Sequence, residues 1–237
     1  MTDRSSLARG VVAEGVGTGL LVAIVVGSGI FAQRLSPGDE GLQLLENSIA
    51  TAFGLMALIL AFGKVSGAHF NPVVTLADRV LGGVDTRRAL AYIGAQVAGG
   101  CAGTVVANLM FELPAIEWST HTRSSAGLWL GEAVATFGLL TVILGVVRSG
   151  RTAAAPFAVG AYIGAAYWFT SSTSFANPAV TVARTLTDTF AGIRPGSVPL
   201  FVVAQCIGAV AAVGLARFLH PSLPDQAERV VIPREQS

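Results

Sequence analysis

The chain has 237 residues, of which 52% are hydrophobic and only 12% charged. A water-soluble domain carries about 25% charged residues, so the composition excludes an ordinary soluble globular protein and points to surface that never meets water. A formal net charge of +1 argues against a nucleic-acid partner or a polybasic membrane-surface role.

Six stretches contain no Asp, Glu, Lys or Arg: 15–33, 47–63, 89–111, 133–147, 152–183 and 195–216. A membrane-crossing helix needs roughly 20 mostly apolar residues. Five of the stretches, the fourth extended back through Glu132 to Ser124, suit one crossing each. The stretch 152–183 is too long for one crossing and too short for two. The first stretch follows a short polar N-terminus, Met1 to Gly10, with no clear small-residue cleavage site, and is expected to be a retained span. Glu14 lies at its start, and an intramembrane carboxylate is a functional candidate by default. It could relay protons or accept hydrogen bonds from loop N–H groups. No other ionisable group is placed to extend a relay, so the acceptor role is expected, with Thr18 one turn along the same face.

After the second stretch, Lys64 to Phe70 reads as a loop, and Asn71 and Pro72 open a new element. Asn is among the best helix N-caps. Pro suits the first helical turn because its missing N–H would have no partner there. The expected helix ends near Leu81, about ten residues or roughly 15 Å, half a bilayer. The next stretch carries Gln96 among Gly94, Gly99, Gly100 and Gly103, which suits close helix packing. Cys101 and Cys206 lie in apolar stretches and read as single buried thiols rather than a disulfide or metal site.

The second half echoes the first. Glu132 and Thr136 repeat the spacing of Glu14 and Thr18, and Gln205, near Gly208 and Gly214, repeats that of Gln96. The over-long stretch has the same solution as its counterpart. Tyr162 to Thr170 is apolar, Ser171 to Ser174 breaks the pattern, and Asn177 with Pro178 starts a short helix to about Leu186. Three echoes in register imply a duplication of about 7–111 and 124–219. Three crossings per half is an odd number, so the second copy runs inverted through the membrane. The expected fold is all-α: six transmembrane helices plus two re-entrant half-helices in a single channel domain, 1–219, with a flexible cytoplasmic tail, 220–237.

Six crossings put Arg4, Arg9, Lys64, Arg79, Arg87, Arg88, Arg148, Arg151, Arg217, Arg229 and Arg234 on one side, and Arg34, Arg123, Arg184 and Arg194 on the other. Cytoplasmic loops carry the excess of Lys and Arg, so both termini are expected in the cytoplasm of a multi-pass inner (plasma) membrane protein.

Half-helices entering from opposite faces meet at the midplane with their N-termini facing. Each end carries about +0.5 charge equivalent, which opposes cations. The Asn71 and Asn177 amides can donate to a passing oxygen, and loop carbonyls can accept. That chemistry suits a pore for neutral hydrogen-bonding molecules. No nucleophile–base pair, metal-ligand spacing or phosphate loop is present, so no enzyme activity, metal or cofactor is expected.

At Ser66 to Val73, at Asn177 to Ala179, and at the paired Glu and Gln helices, the chain resembles the major intrinsic protein family, the aquaporins and aquaglyceroporins, from about Leu7 to about Leu219. The first motif departs by ending in Val73 rather than Ala. The resemblance implies a lipid-embedded homotetramer with one pore per protomer. It implies structural support from Glu14, Glu132, Gln96, Gln205, Pro72 and Pro178, with His69 a hydrogen-bonded strut. It also implies an outer constriction at Thr51, Ala165, Ser174 and Val180, the last where arginine is usual. Such an opening is expected to be wide and uncharged. It would suit metalloid hydroxides such as arsenite and antimonite, with glycerol and water. The alternatives are a dedicated water or glycerol channel and a coupled secondary transporter working through Glu14 and Glu132.

Overall fold

A computed structural model describes residues 2–219, with side chains from Ser6 onward; the expected tail, 220–237, lies outside the described residues. All regular structure among the described residues is helical: α1 (Thr2–Leu35), α2 (Glu40–Ser66), α3 (Pro72–Leu81), α4 (Thr86–Met110), α5 (Ala126–Arg148), α6 (Ala155–Phe169), α7 (Pro178–Ala183) and α8 (Val198–Leu219). Short polar caps start the long helices. Asp39, Asp85 and Ser125 accept from the backbone N–H of Leu42, Arg88 and Leu128, satisfying donors that have no partner within the helix. Gly67 and Gly82 end α2 and α3 in the left-handed region, at φ 92° and 93°, where a Cβ would be strained.

Helices α1, α2, α4, α5 and α8 are long and apolar enough to cross a bilayer. The stretch 152–183 resolves into a 3-10 turn (Thr152–Ala154), α6, a loop and α7. At 15 residues, α6 reaches roughly 22 Å, and the preceding turn lengthens it. A second 3-10 turn, Arg184–Leu186, continues α7, so the second short element ends at Leu186.

Helix α1 packs on α4 and α2, α5 on α8 and α6, and α2 on α6. Close approach of α1 and α4 depends on glycine. A Cβ on Gly99 would sit 2.0 Å from the Gly15 carbonyl oxygen, and one on Gly103 would sit 2.1 Å from that of Gly19. Gly208 meets the Ala133 carbonyl in the same way across the α5–α8 crossing, at 2.2 Å. The short helices interlock the halves: α3 packs against α8 as well as α4, and α7 against α4 as well as α8. The Thr104 hydroxyl on α4 donates to the Ala183 carbonyl that ends α7, at 2.9 Å.

The polarity is turned inside out. Glu14, Gln96, Glu132 and Gln205 are fully buried, while Phe53, Leu130, Val210 and Phe218 are exposed. An apolar exterior of this extent matches contact with lipid.

Candidate functional site

Helices α3 and α7 start in the same way. Asn71 and Asn177 are extended, with φ −153° and −157°, and Pro72 and Pro178 occupy the first helical position. The Asn71 Oδ1 accepts from Val73 N at 3.1 Å. The Asn177 Oδ1 accepts from Ala179 N and Val180 N at 3.0 and 3.3 Å. Each side-chain amide then reaches into the other half. Asn71 Nδ2 donates to the Ala176 carbonyl at 2.7 Å, and Asn177 Nδ2 donates to the Phe70 carbonyl at 2.8 Å. The two helix starts therefore meet inside the protein.

The loops leading into them are strained in matching places. Ala68 and Phe70, three and one residues before Asn71, have positive φ; Ser174 and Ala176, three and one before Asn177, do too, as does Thr173. A left-handed conformation costs a residue with a Cβ roughly 1–2 kcal/mol. The buried carboxylates offset it. Glu14 accepts from Ser66 Oγ (2.6 Å), His69 N (2.9 Å), Phe70 N (2.7 Å) and Gln96 Nε2 (2.8 Å). Glu132 accepts from Phe175 N and Ala176 N, both at 2.9 Å, and from Gln205 Nε2 at 2.6 Å. A hydrogen bond to a charged group contributes about 1.5–3 kcal/mol, so three or four such bonds exceed the strain of two or three left-handed residues. Gln96 and Gln205 also donate to Thr75 and Thr181, each at 2.9 Å and each four residues after its Asn. Thr18 donates back to the Glu14 carbonyl at 2.7 Å. Thr136 Oγ1 is buried without a hydrogen-bond partner among the described residues.

A cavity runs along both helix starts. Its wall includes Thr51, Leu55, Ile59, His69, Asn71, Val74, Ile143, Val159, Ile163, Tyr167, Ser174, Asn177, Val180 and Arg184. Hydrophobic side chains predominate, with polar groups at a few points, the usual make-up of a site for small neutral molecules.

Beyond the Asn-Pro core the two ends differ. At one, His69 Nδ1 lies 3.1 Å from Thr75 Oγ1, its Nε2 lies 3.3 Å from Asp78 Oδ2, and its ring packs edge-on against Tyr92. At the other, the Arg184 guanidinium carbon lies 3.5 Å from the centroid of the Phe175 ring, and that of Arg123 lies 5.2 Å from the same centroid. The Arg184 Nε donates to the Ala191 carbonyl. The Tyr167 and Thr51 hydroxyls are 3.1 Å apart.

Of the four residues expected at the constriction, Thr51, Ser174 and Val180 line the cavity and one does not. Ala165 is absent from the cavity wall and lies on the exposed side of α6. The inward residues of that helix are Val159, Ile163 and Tyr167, the last two about half a turn to either side of Ala165. Three residues between α6 and Asn177 take positive φ, and no regular period relates positions on α6 to Asn177 across such a loop. The wall also carries a charge. Val180 lines the cavity as a neutral residue, but Arg184, one turn further along, lines it too. Tyr167, Phe175, Asp78 and Arg184 were not singled out as site residues from the sequence. The available signal was positional: Asp78 and Arg184 each stand seven residues after an Asn-Pro asparagine, and His69 and Phe175 each stand two before.

The chain matches the family model for major intrinsic protein over residues 1–175 and 154–235. It is 52% identical over 219 residues to the aquaglyceroporin AqpS of Rhizobium meliloti, covering 92% of this chain and 93% of that one. It is 30% identical over 242 residues to the probable aquaporin AqpM of Archaeoglobus fulgidus, covering 90% of this chain and 98% of that one. The fold is similar to the X-ray structure of the aquaglyceroporin from Plasmodium falciparum, with a TM-score of 0.66 at 24% identity over 92% of this chain and 98% of that one. With the inside-out polarity, the buried cavity and the two interlocked Asn-Pro helices, these matches establish that the chain belongs to the major intrinsic protein family and is an aquaporin-type membrane channel, not an enzyme.

Proposed function

We propose that the chain conducts small uncharged polyhydroxyl solutes passively: metalloid hydroxides such as arsenite and antimonite, together with glycerol and water. The reciprocal Asn71–Ala176 and Asn177–Phe70 hydrogen bonds carry this reading. They hold two amide donors at a common point in a mostly apolar cavity, where an uncharged solute can exchange hydrogen bonds and an ion would lose its hydration without replacement. The constriction residues are Thr51, Ser174 and Val180 with Tyr167, which together offer hydroxyls on one wall and an apolar face on another. A neutral trihydroxide and glycerol present similar hydroxyl sets to that wall. The similarity to a protein named aquaglyceroporin supports a solute larger than water.

The halves 7–111 and 124–219 act as inverted copies around one pore. We infer a homotetramer in the plasma membrane with both termini in the cytoplasm, an orientation that the eleven-to-four distribution of Lys and Arg supports. Coupled transport fits less well, because Glu14 and Glu132 are already engaged by backbone N–H groups and glutamines. The deciding experiment is a proteoliposome flux panel of water, glycerol, urea and arsenite, with and without a proton gradient. Downhill glycerol and arsenite flux well above that of protein-free vesicles, indifferent to the gradient, is expected. Flux of water alone would leave a dedicated water channel, and uphill flux driven by protons would replace the channel by a transporter.

A further inference from the structure

The geometry points to Arg184 as the residue that supplies the fixed positive charge and the solute-facing hydrogen-bond donors of the outer constriction, a task that Val180 cannot perform. The assignment rests on the channel reading above and names a determinant of its selectivity.

Arg184 is 3% exposed. Among the described residues its only side-chain hydrogen bond runs from Nε to the Ala191 carbonyl. Its two Nη groups therefore have no protein acceptor, and Arg184 forms part of the cavity wall. Neither Nη is among the fully buried atoms that lack a partner, so their four N–H donors reach open space, and a guanidinium held inside the protein is costly unless something accepts from them there. The cavity is where that acceptor can be: water, or the hydroxyl oxygen of a solute.

The guanidinium is also fixed in place. Its plane is held against Phe175 at 3.5 Å and its Nε is anchored, so the fork meets a solute already oriented. The Tyr167 and Thr51 hydroxyls, 3.1 Å apart, belong to the same cavity wall. A neutral solute with two or more hydroxyls can accept from Arg184 and still have hydrogen bonds to exchange elsewhere on that wall. A cation meets a unit positive charge in a poorly screened passage.

The plan of the two halves supports a role tied to the pore. The residue seven after each asparagine contacts the residue two before it: Asp78 with His69 at 3.3 Å, and Arg184 with Phe175 at 3.5 Å. The halves thus place charges of opposite sign at equivalent points flanking the Asn-Pro centre. A plain structural reading, in which Arg184 only ties the 187–194 connection through Ala191, leaves the free Nη groups unexplained.

The test compares wild type, Arg184→Met and Arg184→Lys in proteoliposomes, reading proton and potassium leak and the glycerol-to-urea flux ratio. Arg184→Met is expected to raise the leak about tenfold or more, as removal of a unit charge from a weakly screened pore wall requires. It is also expected to lower the glycerol-to-urea ratio. Arg184→Lys, which keeps the charge but loses the planar fork, should hold the leak within about twofold of wild type while the ratio falls. Leak and ratio unchanged in both variants would overturn the assignment. If Arg184→Met fails to insert, the ratio in Arg184→Lys decides: an unchanged ratio rejects a solute-facing fork. Wild-type vesicles that pass neither solute faster than protein-free ones would sink the channel reading itself, whereas working wild type beside unaltered variants would sink this assignment alone.

Discussion

Asn71 and Asn177 each serve both halves of the protein at once. With Oδ1 each caps its own helix, and with Nδ2 each donates to a carbonyl of the opposite loop, at 2.7 and 2.8 Å. Replacement by aspartate separates the two functions, because the carboxylate can still cap but cannot donate. Asn177→Asp is therefore expected to lose about 1–3 kcal/mol, the cost of leaving a buried acceptor unpaired. Asn177→Ala loses roughly 1 kcal/mol more with its cap. Thermal unfolding in detergent should rank wild type above Asp and Asp above Ala. Equal melting of Asp and wild type would show that the cross-half bonds contribute nothing.

The four bonds accepted by Glu14 make a similar prediction about its charge. Glu14→Gln keeps the shape but turns one oxygen into an NH2 that must face the N–H of His69 or Phe70, or the Gln96 amide, all of which are donors. A loss of about 2–4 kcal/mol is expected from the weakened charge-assisted bonds and the opposed donors. Any solute flux that survives should remain passive and independent of pH gradients. Stability equal to wild type together with lost proton coupling would reverse the assignment and make Glu14 a relay.

Much of this was legible in the chain. The Asn-Pro pairs, the glutamates and the glutamines lie at matching offsets, and each offset is local enough for spacing to fix it: Asn to Pro, Asn to the Thr four residues on, Glu to the Thr one turn on. The failures arose where spacing passes through irregular backbone. Ala165 is separated from Asn177 by Ser171 to Ala176, where Thr173, Ser174 and Ala176 all take positive φ, and no period governs such a loop. Arg184 counts in the sequence only as one of four cations on the outer side, because spacing does not show which way its side chain turns. Only the tertiary stack on Phe175 shows that its side chain turns back into the protein.

The glycines of α4 divide into two kinds that sequence does not distinguish. Gly103 meets a backbone carbonyl at 2.1 Å from an added Cβ, whereas Gly94 on the same helix meets nothing within 4 Å. A backbone oxygen cannot swing aside as a side chain can, so Gly103→Ala must separate the helices by roughly 1 Å, at about 1–3 kcal/mol of overpacking. Gly94→Ala gains helix propensity of up to about 1 kcal/mol. Opposite shifts in melting temperature are expected. The same sign for both would mean that intrinsic propensity, and not the contact, governs this crossing.

The face that carries Arg184 is closed by a tie whose pH dependence can be stated in advance. Asp188 accepts from the backbone N–H of Thr120 at 2.8 Å and from its hydroxyl at 3.0 Å, joining the α4–α5 connection to the segment after α7. The Thr120 backbone hydrogen bond is the main cause that holds the Asp188 carboxyl below its ordinary value; the Thr120 hydroxyl and the nearby His121 act in the same direction. A carboxylate whose folded value is depressed contributes stability above its unfolded value and loses it as pH falls through the folded one. The tie should therefore be intact from pH 7 down to about 5 and should open only below the usual aspartate range of about 3.9. Hydrogen exchange at the Thr120 amide measures it directly. After correction for the intrinsic pH dependence of exchange, protection should be flat between pH 7 and 5. In Asp188→Ala it should fall severalfold at every pH. Protection that instead drops between pH 7 and 6 would remove Asp188 protonation as the trigger of this connection.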